Sequence, residues 1–361
     1  MDKKLATKAL VAFLKPLVRA SAKRTSLPVV VSQSATGTVI SVKCTAFTRR
    51  LELECRPFDA FPESGTQFAS TILACIDLNL PVELECCNDA LHREVCQCTS
   101  PVQADGTEGF RVESSATVSC DVLSKALLSA GGDATRPQLD AIAFTDDALF
   151  STNGKVGFRH TADYTAALGA KLHIDECALA CALAKVCKAD AVQVRGSAMG
   201  VLTSVFFEQN GVRFDSLTQF VEKAVDFGVV FAHVAKAPSR YVSLDTAGLK
   251  GIGKRAKSAA VAMGIKDKRP AAMAVFAYQG LEIRMGLKKE WANTRVIQTL
   301  EATLQKEPSE PVAGIDPEYL EAAAEALDFG SCSMSQVDHL SPFVFDQGDH
   351  TVLVMPMRLD I

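Results

Sequence analysis

Chemistry in this chain would begin at Gly248-Leu-Lys-Gly-Ile-Gly-Lys254-Arg255, a stretch that nearly reproduces a phosphate-cradling loop. The pattern GxxxxGK[ST] uses backbone amides and a lysine for the phosphates and a hydroxyl for magnesium, and Arg255 stands where the hydroxyl should be. A guanidinium only donates hydrogen bonds and cannot ligate a cation. The same residues also read Gly251-x-Gly253-x-x-Ala256, a weak dinucleotide fingerprint, but no strand–helix–strand context follows. Twelve cysteines raise disulfides or zinc, yet no CxxC pair occurs. Cys86 and Cys87 are adjacent, Cys96 and Cys98 share one face of a strand-like run, and Cys177 and Cys181 lie one helical turn apart. His92 with Cys96 and Cys98 is the nearest approach to a metal-ligand set, without the spacing of a zinc site. Buried reduced thiols, acting as small hydrophobes in a reducing compartment, account for them. The six histidines are scattered, and neither HExxH nor GxSxG appears. Nothing selects one Cys–His or Ser–His pair over another. Glu52/Glu54 and Glu83/Glu85 alternate along strand-like runs, as on a solvent-facing sheet surface. The expectation is a protein that is not an enzyme and uses no metal and no cofactor.

The elements that hold these residues are those of a folded, multidomain chain. With 361 residues there is room for two or three cores. Hydrophobic residues at 48% and charged residues at 22% exclude a disordered chain. No apolar run approaches the roughly 20 residues that cross a bilayer. Lys15, Pro16 and Arg19 break the apolar residues near the start, and no small-residue cleavage site follows, so a cytoplasmic protein is expected.

Self-similarity organises the rest. Arg24-Thr-Ser-Leu-Pro-Val-Val-Val, Arg136-Pro-Gln-Leu-Asp-Ala-Ile-Ala-Phe and Arg269-Pro-Ala-Ala-Met-Ala-Val-Phe each set an arginine and a turn before a strand-like run. A helical stretch precedes each arginine: Leu5 to Ala22, Cys120 to Ala130, and Leu249 to Met263. Alternating segments follow, such as Gly37 to Cys44 and Gly280 to Met285. A second helix comes next, at Phe68 to Leu78, Asp175 to Cys187 and Pro317 to Leu327, with Asp175 and Asp316 as N-caps. Short strands, including Val192 to Arg195 and Thr351 to Pro356, close the units. Each third is therefore helix, strands, helix, strands, an α+β unit whose antiparallel sheet is covered on one face by two helices. The joins fall near residues 115 and 240, giving domains 1–115, 116–240 and 241–361.

The net charge of −4 hides an uneven distribution. Lys3, Lys4, Lys8, Lys15, Arg19, Lys23 and Arg24 occur with no acid among them, and Lys250, Lys254, Arg255, Lys257, Lys266, Lys268 and Arg269 with Asp267 alone. On a helix, Lys4, Lys8, Lys15 and Arg19 share a narrow arc, with Leu10, Val11, Leu14, Leu17 and Val18 read as the opposite side. Lys250, Lys254 and Lys257 likewise share a face opposite Ile252, Ala256 and Met263. Pro16 should kink or interrupt the first helix. The helix at Pro317 to Leu327 carries Glu318, Glu321 and Glu325 and no base, so positive charge is concentrated elsewhere. A basic helical face is by default a solvated one. Two in equivalent positions of a repeat, if they converge, attract phosphates without reading bases.

These residues resemble the bacterial DNA sliding clamp, the beta subunit of DNA polymerase III, over essentially the whole chain. Val354-Met355-Pro356-Met357-Arg358-Leu359 looks like the ending typical of that family, with Asp360 and Ile361 extending past it. Phe13-Leu-Lys-Pro-Leu17, Arg24-Thr-Ser-Leu-Pro28 and Asp316-Pro-Glu-Tyr319-Leu320 resemble its first helix, the following turn and the start of the last domain's second helix. The resemblance implies a head-to-tail homodimeric ring around duplex DNA, with helices lining the hole and sheets on the rim. It makes Arg24, Lys8, Lys15, Arg19, Lys250, Lys254 and Lys257 candidate phosphate contacts, of which Arg24 alone matches a family position closely. It also implies a pocket for short linear peptides of DNA polymerase and clamp-loader subunits. The matching positions are Ala143, Thr152, Gly154, Tyr319, Ser341, Leu353, Val354, Met355, Pro356 and Met357. Methionine there suits several partners, although Met355 and Met357 also read as ordinary edge-strand residues.

Two departures stand out. The family's Thr-Asp-Gly-His-Arg is Thr152-Asn153-Gly154-Lys155-Val156 here, and its Phe-Pro-Asp-Tyr-Arg-Arg is Phe227-Gly228-Val229-Val230-Phe231-Ala232. Three readings follow: a processivity ring, a diverged clamp-like protein that serves a specialised polymerase or sequesters partners, and a small-molecule hydrolase or transferase on a related scaffold. The last lacks a nucleophile–base set. Loss of basic groups at the rim predicts a narrowed or shifted partner set. Titration with standard clamp-binding peptides should give weaker or reordered affinities than an ordinary clamp gives, and equal affinities would count against the shift.

Overall fold

A computed structural model describes residues 1–20, 28–33, 37–43, 47–57, 64–78, 114–131, 135–196, 202–219, 225, 227, 231, 240–262, 271–277, 280–286, 296–300, 302–304, 313–336 and 340–356. The first third contains α1 (Lys3–Ala20), β1 (Pro28–Gln33), β2 (Thr38–Lys43), β3 (Phe47–Leu53), β4 (Ser64–Phe68) and α2 (Ala69–Leu78). The second contains β5 (Ser114–Ser119), α3 (Cys120–Leu128), β6 (Ala141–Phe144), β7 (Ala148–Thr152), β8 (Val156–Thr161), β9 (Lys171–His173), α4 (Ile174–Cys187), β10 (Ala191–Gly196), β11 (Leu202–Gln209) and β12 (Val212–Gln219). The third contains β13 (Arg240–Asp245), α5 (Ile252–Ala262), β14 (Ala271–Ala277), β15 (Gly280–Gly286), β16 (Val296–Leu300), β17 (Ala302–Leu304), β18 (Ala313–Ile315), α6 (Pro317–Ala326), β19 (Ser331–Gln336), β20 (Phe343–Gln347) and β21 (His350–Val354). The α+β class is as the sequence indicates, and helix, strands, helix, strands recurs in the second and last thirds; the first shows helix, strands, helix, and residues 79–113 that follow lie outside the described residues. Among the described residues no helix is long and apolar enough to cross a membrane.

Helix α1 shows how spacing becomes burial. Ala6, Ala9, Leu10, Phe13, Leu14 and Leu17 are all buried, while Lys4, Lys8 and Lys15 are exposed. Three expectations are corrected. Val11 and Val18 are only half-buried, because 100° per residue puts them within roughly 20° and 40° of Lys4, on the lysine side. Pro16 does not interrupt the helix, which runs unbroken to Ala20. Its ring leaves the carbonyl four residues back without an amide, and both Ala12 and Pro16 border an open cleft where water can reach. The N-cap of α4 is also not Asp175 but His173, whose Nδ1 accepts from the Asp175 amide at 3.2 Å. Asp316 caps α6 as expected, accepting from the Glu318 amide at 2.9 Å, with Pro317 in the first turn.

The described chain divides into two compact units, and neither is a single repeat. The first comprises Met1–Ser124, Ala143–Asp147 and Asp163–Glu222. Its sheet has eight antiparallel strands in the order β4-β1-β2-β3-β12-β11-β10-β5. The strands of the first third therefore continue into those of the second through the β3–β12 pair, registered from Val212↔Leu53 to Thr218↔Phe47. One apolar row, Val31–Ile40–Leu51–Phe214–Phe207, crosses that seam on successive strands. All five side chains are buried, each contributing about 1.5–3 kcal/mol relative to exposure. Helices α1 and α4 pack together over this sheet, and Phe13 of α1 meets Phe214 edge-on at 6.4 Å. Between them Arg49 of β3 grips Glu176 of α4. The guanidinium Nε lies 2.9 and 3.0 Å from the two carboxylate oxygens, with Nη2 on Oε1, and the side chains are 4% and 1% exposed.

The second unit comprises Lys125–Ile142, Ala148–Ala162 and Lys223–Ile361. Seven of its strands run in the order β17-β13-β19-β20-β21-β8-β7, and four more form the sheet β16-β15-β14-β18. Here strands of the second third continue into the last third through β8–β21, from His350↔His160 to Val354↔Val156. Lys125 of α3, almost buried, reaches the Asp328 carboxylate at 2.7 Å just beyond α6. Both seams thus combine backbone pairing with an ion pair contributed by a helix.

Removing one member of the buried Arg49–Glu176 pair strands a charge in the interior. Arg49→Ala or Glu176→Ala should cost about 3–5 kcal/mol in urea unfolding, whereas the double change Arg49→Met with Glu176→Leu should recover most of it. A small loss for the single variants would mean that water reaches the pair.

Candidate nucleic-acid interface and partner groove

In the first unit the candidate cations border a cleft of about 1280 Å³ between α1 and α4. Lys4, Lys8 and Lys15 stand along one side and Lys185 on the other, over an apolar floor that includes Val11, Ala12, Leu179, Ala182 and Val186. Arg49 also lines the cleft but is committed to Glu176 and lies 3.8 Å from the Phe47 ring. Asp175 is the acid at its edge. Lys185 escaped sequence reasoning. It sits on the α4 face with Ala178 and Ala182, at i, i+4 and i+7, a small-residue stripe without the charge cluster that draws attention elsewhere. Arg24 lies outside the described residues, as does the side chain of Arg19.

In the second unit Lys250, Lys254 and Lys257 are exposed, with Ile252 and Ala256 buried on the far side as the periodicity indicates; Met263 lies outside the described residues. Their surroundings differ from the expectation of concentrated positive charge. The acidic helix α6 packs against α5, and Lys257 forms an ion pair with Glu318, whose carboxylate raises the lysine pKa. Lys250 holds its ammonium 5.8 Å from the Phe329 ring. Lys254 and Lys250 are therefore the better placed of the three to meet a phosphate.

The same packing explains why the glycine-rich stretch is no phosphate site. Gly251, at φ +76°, and Gly253 point their amides at one carboxylate, Glu321, at 2.7 and 3.0 Å. An anion-binding helix N-terminus exists here, and the chain fills it with its own acid. Arg255, the residue that spoils the motif, folds back to donate to the Lys250 and Gly248 carbonyls at 2.6 and 2.7 Å.

The partner positions converge only partly. Asn153 Oδ1 accepts from the Lys155 and Val156 amides, both at 2.8 Å. Thr152 Oγ1 donates to the Val156 carbonyl at 2.8 Å and accepts from Gly154 at 3.0 Å. This builds a tight turn with Gly154 at φ +80°. Met355 continues the β8–β21 pairing through its amide to the Lys155 carbonyl at 2.8 Å and is 43% exposed. Thr152 lies opposite Gly157, and Gly157 opposite Leu353, so the three form one row. Val354 is buried on the other sheet face by the period-two rule. Tyr319 on α6, Pro356 and Ser341 are half-buried, and the Ser341 carbonyl accepts from Gln336 at 2.9 Å. Ala143 is buried in the first unit, and Met357 lies outside the described residues.

Three residues near this turn were missed as site candidates. Arg136 lies against Gly154, where an added Cβ would stand 2.8 Å from its Nη1, so a guanidinium from another segment returns positive charge to the rim. Phe227 and Phe231 are buried on Phe150, with ring centroids 5.1 and 5.2 Å away. The repeat had flagged Arg136 only as a turn marker, and the two phenylalanines only as part of a divergent segment.

Among the described residues no cluster of three or more His, Cys, Asp or Glu side chains could hold a metal ion. Cys86, Cys87, Cys96, Cys98 and His92 lie outside them. Burial pushes the Cys187 thiol up to about 11 and Cys332 to about 12, so both remain protonated and inert, as packing residues do.

Glu321→Ala should leave two amides unmet and cost about 1–3 kcal/mol in thermal or urea unfolding, and Glu321→Gln less. Equal losses for the two would point to packing and not to amide capture.

No family model matches this sequence, and no curated protein sequence does. Solved structures do. A sliding clamp (DNA polymerase III subunit beta) from Bartonella birtlesii, bound to griselimycin, superposes with a TM-score of 0.71 at 14% identity, covering 99% of this chain and 98% of that one. The DNA polymerase III beta subunit from Thermotoga maritima gives 0.69 at 14% identity, over 99% and 97%. The beta subunit from DNA polymerase of Streptococcus pyogenes gives 0.69 at 12% identity, over 99% of both chains. Across essentially its whole length, this chain has the α+β fold of the bacterial DNA polymerase III beta subunits, the DNA sliding clamps.

Proposed function

We propose that this chain is a DNA polymerase processivity factor, a homodimeric ring that encircles duplex DNA, slides on it and tethers DNA polymerase and clamp-loader subunits through short linear peptides. The observation that carries the reading is the end-to-end match to sliding-clamp structures, with 99% and 98% of the two chains covered in the Bartonella birtlesii comparison. A match to one lobe would leave the ring without support. The domains proposed are 1–115, 116–240 and 241–361, and what supports them is that β5 and β13 begin at these joins. The work is not enzymatic: closure around the duplex holds the protein, and weak, sequence-blind contacts allow it to move. Lys8, Lys15, Lys250 and Lys254 are the proposed phosphate contacts, with Arg24 and Arg19 by resemblance and Lys257 held back by Glu318. Service to a DNA polymerase would have the protein work in the cytoplasm, away from membranes.

A second reading, a diverged clamp-like protein that serves a specialised polymerase or sequesters clamp partners, is favoured by the acid on Lys257 and by the divergent 227–232 segment.

Light scattering should return twice the 38.6 kDa subunit mass. With a loader, the protein should stay on nicked circular DNA and run off linear DNA. Changing Lys8 and Lys15 together to alanine should weaken retention and reduce the slope of log affinity against log salt by roughly two for each subunit of the ring. A monomer without retention on circles would favour the second reading.

A further inference from the structure

In the second unit the pairings β7–β8, β8–β21 and β20–β21 place Thr152, Gly157, Leu353 and Val344 in one row, and Phe150, Arg159, Thr351 and Asp346 in the next. Alternation puts both rows on one sheet face. Gly157 leaves a dent there, because an interior strand residue without a side chain lets another group come close. The group that comes close belongs to the chain itself. A Cβ on Gly157 would stand 3.5 and 3.6 Å from two ring carbons of Phe231 and 3.7 Å from the Leu353 Cβ. The Phe231 ring is buried, tilted at 57° on Phe150, and Phe150 stacks in turn on Phe227 at 16°. Three phenylalanines thus meet beside Thr152 and Leu353, and one of them fills the dent between those strands. At the end of the row the Arg136 guanidinium covers Gly154 and Lys155 is exposed, so the flank is basic.

Resting on the reading of Thr152, Leu353 and Met355 as the partner groove, we propose that Phe231 determines its specificity. Phe231 holds the seat that a partner's aromatic anchor would need, so the groove takes acidic peptides with an aliphatic anchor and refuses those with an aromatic one. The glycine dent accommodates one ring, and expelling Phe231 would break its packing on Phe150 and expose it to water. Exclusion of a competitor by an occupied site is as effective for selectivity as added attraction. An aliphatic anchor lies instead against the exposed and adaptable Met355 side chain, with its acidic neighbour toward Arg136 and Lys155.

The test uses the full chain and two acetylated pentapeptides, Asp-Leu-Asp-Leu-Leu and Asp-Leu-Asp-Leu-Phe, titrated by calorimetry. The wild type should bind the leucine form roughly tenfold more tightly, and Phe231→Ala should reverse that order. Phe231→Leu, which keeps an apolar filler, should retain the wild-type order and stands in if the alanine variant does not fold. Wild-type preference for the phenylalanine form, or loss of both peptides in Phe231→Leu, overturns the proposal. If neither peptide binds any of the proteins, the groove reading itself fails. The seat of Phe231 is then read with toluene alone by NMR: binding to Phe231→Ala and not to wild type supports the seat, and equal behaviour of the two overturns it.

Discussion

The pairing of β3 with β12 carries more of this structure than any single side chain. It joins strands that are more than 150 residues apart, and no local propensity could bring them together. Once joined, Val31, Ile40, Leu51, Phe214 and Phe207 become a single buried row, because a sheet's side chains repeat every two residues and any one-residue slip would turn the whole row to water. The Arg49–Glu176 pair depends on the same register. Arg49 can meet a helix of the next repeat only because β3 is held in place beside β12, and a buried guanidinium is tolerable only when paired. The β8–β21 seam repeats the arrangement, with Lys125 and Asp328 in the supporting role.

Charge in this protein is decided by which helices become neighbours. Two basic helices with similar sequences have different fates. Helix α1 packs beside α4 and borders a cleft with four lysines. Helix α5 packs beside α6 and meets Glu318 and Glu321, one of which pairs a lysine while the other fills the helix N-terminus. The potential available to a phosphate is correspondingly larger along α1, since opposite charges in contact cancel each other's field beyond a few ångströms.

The turn at Thr152 to Val156 and the strand end at Met355 are built from backbone and short polar side chains, a rigid frame into which residues from other segments project. Arg136 and Phe231 both arrive there from outside the local sequence. They add to the frame a guanidinium and a buried aromatic ring that its own residues do not supply.

What the sequence determined alone was whatever depends on spacing within one element or on repetition between elements. The helix at Lys3–Ala20 is legible because Leu10, Phe13, Leu14 and Leu17 recur at helical intervals, and the cap at Asp316 because a carboxylate before Pro317 can serve an exposed amide. The recurring order of helix, strands and helix, and with it the fold class, followed from repetition. Where the reading failed, the cause was local geometry read too loosely, as for Val11 and Val18, or a capping nitrogen supplied by His173 just ahead of the expected Asp175. Tertiary structure decided the partners. That Glu321 fills the glycine-rich N-terminus of α5, that Glu318 answers Lys257, that Glu176 buries Arg49 and that Phe231 rests on Gly157 are contacts between residues far apart in the chain. Periodicity fixes which way a side chain faces along its own element; only packing fixes what it meets.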